Sequence, residues 1–270
     1  MKIQNQTAIT FSINRYQRNE TKIEKTLDKL ASGLNIRRAG DNAAGLAVSE
    51  TFRAQVRGLS QAQRNMQDGL SVLSAADEGL NNVNGLLQRA RELAVMNATD
   101  TLTDEDRQAS QMELEQIMEG INDTANKLEF NTMKILGENA PLVLMVGANP
   151  GQQITIDLMD TSTTALGLDA VNLLTRDASS ELIGKLDEAI VQTTSNLTKI
   201  GSYYEAIEHH MENSFVKESN ITSSVSLLTD TDMAKEMMNF VGLEVRQKSD
   251  QLFVSSINQN TADILKILSN

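Results

Sequence analysis

Apolar residues recur along this chain at alternating spacings of four and three, the seam of a coiled coil, through long stretches separated by loops. In the first stretch Ile9, Ile13, Tyr16, Ile23, Leu27, Leu30 and Leu34 keep the phase, and Glu20 occupies a seam position. In the second, Phe52, Val56, Leu59, Met66, Leu70, Leu73, Leu80 and Leu87 continue it, with Gln63, Asp77 and Asn84 as polar members. This pattern lasts to about Ala98 and predicts a helix of roughly 55 residues, about 80 Å long. In the last third Leu186, Ile190, Leu197, Ile200, Tyr204, Ile207, Met211, Ile221, Val225 and Leu228 hold one register, with Thr193, Ser214 and Glu218 as polar members. A final stretch through Met233, Met237, Phe240, Val241 and Val245 ends in an apolar tail that includes Ile264 and Leu268.

Loops punctuate these stretches. Between Leu30 and Glu50 lie Gly33, Gly40 and Gly45, the dibasic Arg37-Arg38 and the pair Asp41-Asn42. Glycines release the chain from helical geometry, and Asp and Asn cap the next helix. Asn97 to Thr103 reads as a turn. Thr103, followed by Asp104, Glu105 and Asp106, reads as the cap and acidic first turn of a helix striped by Leu114, Ile117, Ile121, Ala125 and Leu128. Residues 142–146 and 153–159, joined by Gly147-Ala148-Asn149-Pro150-Gly151, predict a hairpin with Ile154, Ile156 and Leu158 on its buried side. Asp160 to Asp177 reads as a low-order connector, and Thr229-Asp230-Thr231-Asp232 as the cap of the last helix. Gly58, Gly69, Gly79 and Gly85 each weaken the long helix by up to ~1 kcal/mol, so close packing against partner helices is expected there. The fold class is mainly α: a long coiled-coil-like bundle formed by the N- and C-terminal segments, with one small β-hairpin at 141–159.

Composition narrows the function. The chain has 270 residues, no Trp, no Cys, three Tyr and six Phe, so it buries aliphatic seams rather than a thick globular core. Both prolines, Pro141 and Pro150, fall in one short window and leave the long arms free to be helical. A net charge of −12 argues against a nucleic-acid or anionic-membrane binder, and no apolar run is long enough to span a bilayer. The start MKIQNQTAITF lacks an apolar signal core, so export without a cleaved signal peptide is expected. Residues 1–38 carry eight Lys/Arg against three Asp/Glu, a local +5 that leaves −17 for the remainder. A positive arm on a negative chain suits self-association.

Candidate chemistry is sparse. Glu205, His209 and Glu212 share one helical face and are the single metal-ligating pattern in the chain, against the plainer reading of a solvated flank. HExxH, GxGxxG, Walker and GxSxG patterns are missing, so neither an enzyme nor a cofactor is expected.

Several strings, in order and spread over nearly the whole chain, resemble the bacterial flagellin family. They are LASGLNIRRAGDNAAGLAVSE (30–50), DGLSVLSAADEGLNNVNGLLQRARELAV (68–95), LEFNTMKIL (128–136), MVGANPGQQITIDL (145–158) and TDTDMAKEMMNF (229–240). The resemblance implies a short member without the outer inserted domain. Residues 1–42 and 229–270 would be the two parts of an inner-tube helical domain, and 43–228 the surrounding bundle. It implies subunit packing through Ile9, Ile13, Ile23, Leu27, Leu30, Leu34, Met233, Met237, Phe240, Val241, Ile264 and Leu268. It also implies an extracellular helical homopolymer, filament-cap and hook-junction neighbours, a C-terminal export chaperone and type III export. QRARELAV (88–95) matches the segment sensed by the host Toll-like receptor for flagellin, with Arg89, Leu93 and Glu113 as the matching positions. The chain departs from the family at Ser226-Leu227-Leu228-Thr229 and at 201–208, where arginines are usual. Hook–filament junction proteins, which share parts of the terminal helices, and a soluble coiled-coil adaptor are the alternatives.

Overall fold

The computed structural model describes residues 5–138, 140–169 and 171–268, with side chains described for 7, 9–138, 140–169 and 171–259. Its helices are α1 (Asn5–Ser32), α2 (Ala43–Asn97), α3 (Asp104–Lys127), α4 (Arg176–Thr229) and α5 (Met233–Leu268). Two antiparallel two-stranded sheets lie between α3 and α4: β1 (Glu129–Phe130) with β2 (Met133–Lys134), and β3 (Pro141–Met145) with β4 (Gln153–Asp157). The chain divides into two compact units, one joining its ends (1–54 and 220–270) and one formed by the middle (55–219).

In the middle unit the expected seam is half right. Leu59, Met66, Leu73, Leu80 and Leu87 of α2 are buried, as are Leu186, Thr193, Ile200, Ile207 and Ser214 of α4. Over 62–90 of α2 and 182–196 of α4, the other half of each seam sits one residue earlier than the apolar pattern places it, whereas Met211 and Glu218 further along α4 keep the expected phase, half-buried beside exposed His210 and Lys217. In α2 it is Ala62, Gly69, Ala76, Val83 and Ala90 rather than Gln63, Leu70, Asp77 and Asn84. In α4 it is Leu182, Ala189 and Asn196, while Ile190 and Leu197 are only half-buried. Mostly small side chains occupy these positions, and larger neighbours flank the seam. Gln63, Ser214 and Glu218 still meet: the Gln63 amide donates to Ser214 Oγ at 3.4 Å and Glu218 Oε2 at 2.7 Å.

Three glycines of α2, Gly58, Gly69 and Gly79, face strands and loops, which corrects the expectation of partner helices. An added Cβ at Gly58 would lie 2.8 Å from Ala148 Cβ, at Gly69 2.6 Å from Leu144 Cδ2, and at Gly79 2.6 Å from Leu128 Cδ2 and 2.7 Å from Leu136 Cδ1. β3 and β4 pair Leu142 with Ile156 and Leu144 with Ile154, and this face closes the core of Met66, Leu73, Leu80, Ile200 and Ile207. The second strand ends at Asp157, two residues short of the expected 159, although Leu158 still packs on that core. β1 and β2 form a further hairpin whose turn residues Asn131 and Thr132 have φ of 49° and 67°. A two-residue turn with both φ positive suits the right-handed twist of the strands. Gly79→Val is expected to cost about 1–3 kcal/mol by overpacking. Gly85→Ala, where an added Cβ meets nothing within 4 Å, should gain about 0.5–1 kcal/mol of helix stability. Urea melts of the two variants check the pair; equal effects would show that the loops do not seat on α2 as described.

The connector is packed rather than low in order. Leu166, Leu168 and Leu173 are buried with Leu87, Leu114, Ile121 and Leu186. Asn122 Oδ1 accepts from the Thr163 amide and hydroxyl, each at 3.0 Å, and Gln111 Oε1 accepts from the Leu173 amide at 2.8 Å. Without a period, such packing leaves no pattern to read. At the start of α3, Thr103 and Asp106 form the reciprocal capping box. These bonds from the Thr103 hydroxyl and amide hold the Asp106 carboxyl below its ordinary range. Arg107, buried, closes the end of α2 by donating to the carbonyls of Asn97 (2.5 Å) and Thr99, where a cation also complements the helix dipole.

In the unit formed by the chain ends, α1 pairs with α5. Gly33, at φ 70°, turns the chain out of α1. Leu34 then bridges to Asp230, the Asn35 amide donates to Thr229 O at 2.7 Å, and the Thr231 amide to Gly33 O at 2.9 Å. Asp41 Oδ2 accepts from the amides of Arg38 (3.1 Å) and Arg37 (3.3 Å). Those two bonds, Arg38 first, lower its pKa from the ordinary value. The junction therefore keeps this clasp at neutral pH and loses it only as pH falls through that lowered value. Asn42 Oδ1 caps α2 through the Gly45 amide at 2.9 Å, and Asp232 Oδ1 caps α5 through the amides of Ala234 and Lys235, both at 3.1 Å. Asp230 is used differently: it accepts from the hydroxyls of Ser226 and Thr229 at the end of α4.

Candidate functional site

No constellation of three or more His, Cys, Asp and Glu that suits a metal occurs among the described residues. His209 Nε2 lies 3.8 Å from Glu205 Oε1 on α4, and both side chains are mostly exposed. No described helix is long and apolar enough to cross a membrane. The conspicuous feature is instead where apolar surface lies.

Of the buried hydrophobic residues among those described, 29 belong to the middle unit and only two, Ile36 and Ile257, to the unit of the chain ends. Yet that smaller unit exposes Phe11, Ile13, Leu27, Val48, Leu227, Met233, Met237, Met238, Val241, Val245, Leu252 and Phe253. Hydrophobic burial is the main force holding folded proteins together, so this unit leaves much of its potential stabilisation unused.

The reason lies in the α1–α5 seam. The α1 positions that face inward are Ser12, Asn19 and Thr26, flanked by half-buried Ile9, Tyr16, Ile23 and Leu30. Ile13 and Leu27, expected at the seam, point out. On α5 the inward set is Glu236, Phe240, Leu243, Gln247, Asp250, Val254 and Ile257, again at four–three spacing. Met233, Met237, Val241 and Val245 form a separate exposed row at intervals of four. Leu34, half-buried, lies in the junction beyond α1. The side chains of Ile264 and Leu268 lie outside the described residues.

Sequence reasoning missed the polar group at the centre of this pair. Asp250, 1% exposed, accepts from Arg15 Nε at 2.8 Å and Asn19 Nδ2 at 3.0 Å, and Arg15 forms an ion pair with it. The hydrogen bonds and charge of Asp250 raise the Arg15 pKa further above its ordinary value. A buried charge that only one register can satisfy specifies alignment more than it adds stability. The available signal was that Asp250 falls in phase with Phe240, Leu243, Val254 and Ile257 at four–three spacing.

The positions matching the receptor-sensed segment divide by burial. Arg89 on α2 is exposed and donates to Glu113 Oε1 from Nε (2.9 Å) and Nη2 (2.8 Å), and to Glu92 at 2.9 Å. Leu93, 2% exposed, sits in the core with Ala90, Ala94 and Leu114. It offers no surface in the free chain and instead holds α2 against α3 beneath the Arg89–Glu113 pair.

Comparison with known proteins bears on this arrangement. Residues 3–140 match the family model for the bacterial flagellin N-terminal helical region, and residues 183–268 that for the C-terminal helical region. A flagellin of Halalkalibacterium halodurans is 37% identical over 248 residues, covering 91% of each chain. A flagellin of Bacillus subtilis is 33% identical over 303 aligned positions, covering 99% of this chain and 100% of the relative. The crystal structure of Bacillus cereus flagellin superposes with a TM-score of 0.52 at 28% identity, over 56% of this chain and 88% of that one. A putative flagellar hook-associated protein of Vibrio parahaemolyticus shares the fold, with a TM-score of 0.59 at 13% identity over 70% of this chain and 99% of that one.

Proposed function

This chain belongs to the bacterial flagellin family, and from that premise we infer how it serves as a structural subunit of the extracellular flagellar filament. It has no substrate to turn over; its work is mechanical, and its chemistry is self-association. The observation that carries the mechanism is the unit of the chain ends, which exposes a dozen large apolar residues and buries two. We assign residues 1–42 and 229–270 to the inner tube of the filament and 43–228 to the surrounding bundle. In that arrangement neighbouring subunits cover the outward side of α1, at Ile13 and Leu27, and the row of Met233, Met237 and Val241 on α5. Ile9, Ile23, Leu30, Leu34 and Phe240 complete the contact from the rim of the α1–α5 seam. Ile264 and Leu268 are assigned to the same contact by their sequence pattern. Negative-stain microscopy of the purified chain is the test: long uniform filaments are expected, and a protein that stays monomeric at high concentration would refute the reading.

The same surface implies further partners. An apolar row on α5 needs cover before assembly, which suits an export chaperone bound to the C-terminal helix and passage through the type III apparatus. The filament also needs a cap protein at its growing end and junction proteins at its base. For the host Toll-like receptor, Arg89 and Glu113 supply an exposed, paired charge patch, and buried Leu93 fixes its geometry. Arg89→Asp is expected to reduce receptor activation by monomer at least about tenfold, since it removes a bidentate donor and places three carboxylates together. Unchanged activation in a reporter-cell assay would remove Arg89 from the site.

A further inference from the structure

The net charge of −12 is not evenly spread. The unit of the chain ends carries 13 Lys/Arg against 11 Asp/Glu, a charge of +2, and the middle unit 11 against 25, a charge of −14. The positive charge gathers in one cleft of about 850 Å³ between α1, the junction loop and α5. Six cations line it, Lys22, Lys25, Lys29, Arg37, Arg38 and Arg246, against Asp28, Asp41 and Glu236. Asp28 faces Arg37 at 3.6 Å and Arg38 at 3.9 Å, Asp41 is engaged by backbone amides, and Lys29 donates to Asn35 at 2.8 Å. Lys22, Lys25 and Arg246 form no ion pair among the described residues. Met238, exposed, and Leu243 bring apolar surface to the same cleft.

The middle unit holds the complement. α3 has seven Asp/Glu against Arg107, which is buried, and Lys127. Glu113 is neutralised by Arg89, Asp123 by Lys127, and Asp106 is held in its cap. At 100° per residue, Glu105, Glu115 and Glu119 lie on one exposed stripe of about 80° around Met112, which is 59% exposed. None of the three glutamates has a cationic partner among the described residues. Glu115 accepts only from the neutral Gln111 amide, at 3.0 Å, so three carboxylates without a counter-ion around an exposed methionine match three cations without one beside an exposed methionine.

We propose that the basic cleft of α1 and α5 receives the acidic stripe of α3 from a second copy of this chain. Lys22, Lys25 and Arg246 face Glu105, Glu115 and Glu119, and Met112 meets the apolar part of the cleft. The contact is heterologous, one surface on each copy, so it propagates instead of closing on a dimer. It rests on the filament reading and deepens it, adding an electrostatic axis to an interface otherwise made of apolar contacts. Opposed charge sets register and suppresses wrong contacts at modest cost in affinity.

The test uses the full chain, polymerised with a neutral crowding agent at low ionic strength and measured by sedimentation. A cleft variant (Lys22→Glu, Lys25→Glu, Arg246→Glu) and a helix variant (Glu105→Lys, Glu115→Lys, Glu119→Lys) should each raise the critical concentration at least about tenfold. The chain carrying all six changes should return to within about threefold of the unmodified one, because the attraction is restored with its signs exchanged. All changes lie on exposed side chains, and thermal melts of the monomers should stay close to the unmodified chain. Loss in the cleft variant alone, or no recovery in the sixfold chain, would overturn the pairing. Failure of the unmodified chain to polymerise would be seen first and would sink the filament reading, and this contact with it.

Discussion

Met237→Asp with Val241→Asp should yield a monomer that melts like the unmodified chain and makes no filaments. Both side chains are about half exposed and face away from α1, so the free subunit loses little: surface changes of this kind usually stay within about 0.5 kcal/mol each. In the filament the same side chains are covered. Completing their burial contributes on the order of 1 kcal/mol apiece. An unpaired carboxylate in their place costs several kcal/mol, about 3–5 by comparison with broken buried pairs. A combined loss of that size moves the critical concentration by more than about a hundredfold. Sedimentation and negative-stain microscopy read the outcome directly. Normal filaments from the double variant would place this row on the solvent side of the assembly and leave the exposed apolar surface unexplained.

Ile156→Asp is the counterpart in the middle unit, and here the monomer itself should fail. Ile156, 1% exposed, projects from β4 into the core of Met66, Leu73, Leu80, Ile200 and Ile207, paired across the hairpin with Leu142. Its replacement removes a buried aliphatic side chain, worth about 2–5 kcal/mol by the Ala standard, and adds a carboxyl group with no partner. An isolated two-stranded hairpin is marginal in water, so β3 and β4 depend on this contact. The expected result is a large drop in melting temperature, with loss of the hairpin's slow-exchanging amides. Thr155→Asp, on the opposite and exposed face of β4, serves as the control and should change little. If both variants melt alike, the hairpin does not close this core.

Much of the fold was legible because helix and strand each impose a period on burial. The long helices, the cap at Thr103, the cap of α5 and the hairpin that begins at Pro141 all follow from residue order alone. So does the family, since the matching strings are local sequence. The β1–β2 hairpin was missed because its turn, Asn131-Thr132, carries only one residue that favours positive φ. The connector was underestimated because Leu166, Leu168 and Leu173 follow no period, though all three are buried.

What the sequence by itself determined was the period of the seams; what the tertiary structure decided was their phase. Leu70, Ile190, Ile13 and Leu27 are larger and more apolar than Gly69, Ala189, Ser12 and Thr26, so hydrophobicity alone assigns them to the seam. The structure buries the smaller set, because a close neighbour, at Gly69 the hairpin's Leu144, leaves room only for a short side chain. In the middle unit the displaced residues find hairpins and loops to rest on. In α1 and α5 they find nothing within the described chain, and Asp250 with Arg15 and Asn19 takes the centre instead. One residue of phase therefore separates a surface that completes its own core from one that needs other copies. Propensity and period are properties of neighbours along the chain, whereas phase is settled by how much room the opposing surface leaves.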